Sequence, residues 1–176
     1  MIMIALAAIA VADQADRFTK RAGPSALSTA SDSSAASSAD QINPHNLWAA
    51  TAWGEVRIPV GAGGHYWTAA EINGSRIGAL IVDTGASMVV LTYEDAETAG
   101  VFPGAADFNV PVQTANGIGR AARARLRLVR VGDLFVENVD AMVAQQGVLS
   151  FSLLGMSFLS RLGSFEASGG ALVLRR

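Results

Sequence analysis

The sequence predicts an all-β fold with one or two short helices. Three observations predict it. Short apolar stretches recur along residues 54–176, turn signals rich in Gly and Asn separate them, and one stretch alone carries helix-end signals. Residues 54–60 (GEVRIPV) and 66–72 (YWTAAEI) read as strands. The Gly61-Ala62-Gly63-Gly64 cluster between them has neither the following helix nor the Lys of a phosphate loop, so it is a turn. Asn73-Gly74 is the strongest short hairpin signal in the chain and leads into an apolar strand at 76–83 (RIGALIVD), followed by another at 89–92. Residues 93–100 (YEDAETAG) read as a helix, with Thr92 as N-cap, acids in the first turn and Gly at the end. Strands at 109–114 and 118–131 flank a second hairpin signal, Asn116-Gly117. Further strands follow at 134–144, 151–154 and 171–174.

Composition sets the limits. The 176 residues are 51% hydrophobic and 16% charged, enough to bury a core and too apolar for global disorder. Thirteen basic against fifteen acidic residues give a net charge of −2, so the chain lacks the basic excess of a general nucleic-acid binder. The absence of Cys excludes disulfides, thiolate zinc sites, iron–sulfur clusters and a Cys nucleophile. His45 and His65 are the only histidines, so neither a metal site nor a cofactor is expected.

Three zones follow one another. Residues 1–21 open with the apolar run MIMIALAAIAVA and end in a charged flank that includes Arg17, Lys20 and Arg21. The run is shorter than the ~20 residues a membrane helix needs. It matches the apolar part of a signal peptide in length, and Ala10-Val11-Ala12 resembles a small-x-small cleavage site, but no basic residue precedes it. It reads as an apolar leader or a truncated membrane anchor, with an ordinary N-terminal helix as the other reading. Residues 22–47 are a flexible linker: Ser and Ala fill 13 of the 24 positions from 22 to 45, without apolar periodicity. Residues 48–176 form the folded domain.

The chemistry concentrates at Asp83-Thr84-Gly85-Ala86-Ser87, between the apolar stretches Leu80-Ile81-Val82 and Met88-Val89-Val90-Leu91. An Asp at the end of a buried strand loses solvent, so its charged form needs hydrogen-bond donors. Gly85 permits a tight turn that aims N–H groups at the carboxylate, and Thr84 and Ser87 supply hydroxyls. Taken by themselves, these residues also fit an ordinary Asx-turn between two strands.

This stretch resembles the active-site motif of clan AA aspartic proteases, and the chain resembles the bacterial retropepsin-like proteases that carry a membrane leader and a periplasmic domain. The likeness runs over 54–176. It takes in Glu71-Ile72-Asn73-Gly74, the helix at 93–100, Thr114-Ala115-Asn116-Gly117, the stretch 139–143, and Leu153-Leu154-Gly155-Met156-Ser157-Phe158-Leu159. It implies a closed β-barrel protomer of the acid-protease type, active as a homodimer. Asp83 would be the catalytic acid of each copy, supported by Thr84, Gly85 and Ser87, and Leu153-Leu154-Gly155 would be the strand crossing behind the loop. Ala86 and the hairpin residues Thr114, Ala115, Asn116 and Gly117 would contact an extended peptide segment of a protein substrate. An inert surface hairpin is the other reading of that turn. A carboxyl pair sharing one proton needs one member charged and one neutral, so the rate would follow a bell in pH. The same likeness places the domain in the bacterial periplasm, held to the inner membrane through its N-terminus. A catalytically silent peptide-binding or structural domain of the cell envelope is the rival.

Asp107, Asp133 and Asp140 sit in no comparable frame and are expected at solvated loop or strand-end positions. Arg123, Arg125 and Arg127 alternate with Ala124, Leu126 and Leu128 inside a basic run from Arg120 to Arg130. They predict a solvated strand face, with an acidic or lipid-headgroup dock as the alternative. Trp48, Trp53 and Trp67 are expected to anchor the edge of the core.

Overall fold

The computed structural model describes residues 49–114 and 117–176. The expected leader (1–21), linker (22–47), Trp48, Ala115 and Asn116 lie outside the described residues. Among the described residues, eleven strands form two sheets. In the larger, β3 (Tyr66–Ile72), β4 (Ser75–Val82), β9 (Ser152–Leu154), β5 (Val89–Leu91), β8 (Leu134–Ala144) and β7 (Gly117–Val131) are neighbours in that order, and β6 (Val110–Thr114) adds to β7. Pairing of Glu71 with Arg130 and Ile72 with Val129 joins β3 to β7, so six strands make a closed circuit. The smaller sheet, in the order β1 (Ala49–Ala52), β2 (Glu55–Pro59), β11 (Ala171–Arg175) and β10 (Ser164–Ser168), brings both ends of the domain together. Arg175 ties it across three strands, at 2.9 Å from Glu55 and 2.6 Å from Glu166, and these two acids, Glu166 first, hold its guanidinium more firmly charged.

Alternation explains the core. Along β7, Ala122 and Leu126 point inward while Arg123, Arg125 and Arg127 are exposed, which is the solvated face expected of that run. Arg125 meets Asp140 across the strands at 2.7 Å. Further on, the inward set switches to Val129 and Val131, opposite Val136 and Leu134; the switch falls beside Asn138, at φ 53°, between the pairs Leu126–Val139 and Leu128–Glu137. The Asn73-Gly74 turn has positive φ at both positions, 55° and 95°, as a two-residue hairpin requires.

Asn73 also does more than turn the chain. Its Oδ1 accepts from the N–H of Arg127 at 2.8 Å and of Leu128 at 3.4 Å, and its Nδ2 donates to Ala99 O at 3.0 Å. Asn73→Ala therefore removes three hydrogen bonds and the residue best suited to the turn. It should cost about 2 kcal/mol, read as a lowered thermal midpoint. An unchanged midpoint would show that these bonds are replaced by water.

Helix α1 (Tyr93–Thr98) begins where expected: Thr92 Oγ1 accepts from Asp95 N at 3.1 Å, with Glu94 and Asp95 in the first turn. Gly100, at φ 72°, ends it. A second helix, α2 (Met156–Leu159), follows Gly155.

Two expectations are corrected. Trp53 does not anchor the core edge; it sits in the β1–β2 turn and is 92% exposed. Trp67 is half-buried, with its Nε1 on Ala62 O at 3.2 Å and its ring edge-on to Phe151 at 4.8 Å. Asp133 is not a solvated strand-end acid. It is half-buried, its Oδ2 accepts from Gly54 N at 2.6 Å, and its Oδ1 is buried without a hydrogen-bond partner among the described residues. It holds the β1–β2 turn against the β7–β8 turn. Asp107 caps the turn Ala105–Asp107 through Gly104 N at 2.7 Å, and Asp140 is exposed beside Arg125.

Candidate active site

Strand β4 delivers Asp83. It runs parallel to β9, with Leu80, Ile81 and Val82 opposite Ser152, Leu153 and Leu154. The ladder extends one step further, because Asp83 N donates to Leu154 O at 3.1 Å. At Asp83 the chain turns, and Ala86 N donates to Asp83 O at 3.2 Å. The carboxylate is half-buried, and its Oδ1 accepts from Gly85 N at 2.8 Å. This leaves Oδ2 without a hydrogen-bond partner among the described residues. Ser87 was expected to orient the carboxylate; within one protomer its hydroxyl does not reach it, and Gly85 supplies the contact alone. Thr84, Gly85 and Ser87 are all exposed. The loop therefore presents a carboxylate and two hydroxyls on an otherwise apolar support.

Gly155 fixes the height of that loop. A Cβ there would lie 2.1 Å from Met88 O and 2.7 Å from Ala86 O, both backbone atoms. The next residue closes the contact, with Met156 N donating to Ala86 O at 2.8 Å. Ser157 adds a second clamp, its Oγ accepting from Val89 N at 2.9 Å. Leu153-Leu154-Gly155 thus lies directly behind residues 83–88, as the resemblance implied.

Ala86 does not face a ligand through its side chain. It is fully buried in a cluster with Val90, Val112, Ala121, Met142, Ala144 and Leu153, and both of its backbone polar groups are used inside the protomer. Its methyl joins the Asp83 loop to the β6–β7 hairpin, since Val112 and Ala121 belong to β6 and β7. The hairpin closes with Thr114 opposite Gly117, the latter at φ 113°. Thr114 is 9% exposed and its hydroxyl donates to Gly117 O at 2.8 Å, so the side chain braces the turn. Ile118, beside it, is 77% exposed.

The aspartyl protease family described as "gag-polyprotein putative aspartyl protease" matches residues 68–161, which takes in most of β3, the Asp83 loop, the hairpin and Gly155. The chain belongs to the retropepsin-like aspartic protease family. A retropepsin-like aspartic protease from Rickettsia conorii, solved by crystallography, superposes with a TM-score of 0.61 at 36% identity, over 69% of this chain and 98% of that one. An uncharacterized Sinorhizobium protein from the cobV 5′ region is 44% identical over 69% of this chain and 52% of its own length. An uncharacterized Rickettsia prowazekii (strain Madrid E) protein is 37% identical over 74% of this chain and 55% of its own. The chain spans about half the length of these two relatives.

In this retropepsin-like protomer, one supporting group is absent from the motif itself. Ser152 is fully buried, accepts from Thr92 N at 3.0 Å, and donates to the Asp95 carboxylate. It links α1 to the strand behind the Asp83 loop. Ser152 looks like an ordinary small residue in the sequence, and its place beside Leu153 is the one signal of its role.

Proposed function

We propose that the domain is an aspartic endopeptidase whose site forms from two copies of the chain. The observation that carries this is Asp83 itself: one oxygen is held by Gly85 N–H, the other is unpartnered among the described residues, and the loop rests on a backbone contact too close for any side chain at Gly155. A single protomer supplies one such carboxylate, and amide hydrolysis without metal or nucleophile needs two. A twofold axis through the loops brings Asp83 of each copy together, with Thr84 hydroxyls bracing the paired loops.

In the working pair one Asp83 is charged and the other neutral. The charged carboxylate takes a proton from water, whose oxygen forms a bond to the peptide carbonyl carbon. The neutral carboxyl gives its proton to the carbonyl oxygen, producing a tetrahedral diol. The first carboxyl then passes its proton to the amide nitrogen, the C–N bond breaks, and a diol hydroxyl returns a proton to the other carboxylate. The products are a carboxylic acid and an amine, with the pair restored to one proton. The β6–β7 hairpin closes over an extended peptide, which binds through main-chain hydrogen bonds with side chains set alternately into apolar surface.

The purified chain should cut a mixture of unfolded proteins and create new peptide termini. An intact mixture at chain concentrations where sedimentation shows dimers would contradict the reading and favour a silent peptide-binding domain.

The apolar start and the Ser/Ala stretch support a place in the bacterial periplasm, with the N-terminus as inner-membrane tether. Reporter domains fused after Ala12 and after His45 should be active on the periplasmic side. Activity confined to the cytoplasm would overturn this.

A further inference from the structure

The stem of the β6–β7 hairpin touches the chain after β8 at one unusually close point. Gly119, opposite Val112, has no side chain, and a Cβ there would lie 2.7 Å from Val148 Cγ1 and 3.3 Å from Cγ2. Its φ lies outside the left-handed region that favours glycine, and the three atoms nearest the added Cβ all belong to Val148. Neighbouring contacts fix Val148 in this position. Gln145 N donates to Arg120 O at 2.9 Å, Val148 N donates to Gln145 O at 3.0 Å, and Phe151 ends the segment edge-on against Trp67 at 4.8 Å. Val148 and Leu149 also pack on the cluster that holds Ala86, Val112, Ala121 and Leu153. The segment 145–151 therefore contacts the hairpin stem at one end and strand β3 at the other, beside the strand that carries Asp83.

We propose that Val148 is a positioning residue: by filling the space over Gly119 it seats the hairpin stem and sets the height at which the hairpin meets a bound peptide. This rests on the endopeptidase reading above for its kinetic consequence, and on the geometry alone for its effect on the hairpin. A side chain at Gly119 would push the stem off its seat, weakening peptide binding while leaving the Asp83 loop in place. Trimming Val148 in the same chain would reopen the space, because the nearest remaining atom, Val148 Cβ, lies 3.6 Å from the added Cβ, an ordinary contact.

The test is the pair Gly119→Ala and Gly119→Ala/Val148→Ala, read by peptide KM and kcat and by amide exchange of residues 110–124 in the free protein. Gly119→Ala should raise KM about tenfold with kcat nearly constant and speed exchange in the hairpin. The double variant should bring KM back to within about threefold of wild type and slow exchange again. An unchanged hairpin in Gly119→Ala, or a double variant no better than the single, would overturn the proposal. If the wild type cuts no peptide, the endopeptidase reading fails, and the exchange rates still decide whether Val148 seats the stem. Should Gly119→Ala not fold, Val148→Ala alone must speed hairpin exchange, and wild-type exchange in it would overturn the proposal.

Discussion

Asp83→Asn should abolish cleavage while leaving the fold intact. The amide has almost the volume of the carboxylate, and its oxygen still accepts the Gly85 N–H that now meets Oδ1 at 2.8 Å. Strand β4 keeps its ladder to β9, and the loop keeps its rest on Gly155. What the amide lacks is a proton it can release and regain, so the paired site loses the acid and the base together. The expected loss is about 10⁴-fold or more in rate, with a thermal midpoint within about 2 °C of wild type. Retained cleavage within a few-fold of wild type would remove Asp83 from the chemistry.

Gly155→Ala should be the most damaging single methyl in the domain. Its Cβ would stand 2.1 Å from Met88 O, and the obstacle is backbone on both sides, so no rotamer change relieves it. Either β9 withdraws from β4 and β5, or the loop at 83–88 lifts. The first breaks the parallel ladder at Leu153 and Leu154, both buried; the second moves Asp83. We expect a cost of about 3 kcal/mol or more in stability and at least about a hundredfold in activity. Thermal unfolding and cleavage measured side by side check this. A variant with wild-type stability and rate would mean that the close approach is not kept in solution.

Much of the fold and of the site is legible in the amino-acid sequence. Apolar stretches set off by Gly and Asn turn signals mark the strands at Tyr66–Ile72 and Leu134–Ala144 with their observed limits. Thr92 and Gly100 bound α1 because caps are local chemistry. The Asp83 loop and the strand behind it are legible because the motif and its distant Gly must occur together. Other parts are hidden for physical reasons. Strand β10 is polar and almost wholly exposed, so it has no apolar alternation to read, and α2 has too few residues to show a helical period. The exposure of Trp53 depends on where the small sheet ends, and the burial of Ala86 on which side of the loop the hairpin stem packs. Asp133 resembles any acid in a Gly-Asp turn until Gly54 arrives from a distant part of the chain. These are tertiary facts, and local sequence does not encode them.

If two chains make one site, diluting intact copies with silent ones removes activity faster than linearly. Wild type and Asp83→Asn, co-refolded at varied ratios and constant total chain, should give activity that follows the square of the wild-type fraction. At an equal mixture about one quarter of the activity should remain, because only pairs with two intact carboxylates turn over. A linear fall, with about one half remaining at the same point, would show that each chain works by itself and that its second acid lies elsewhere.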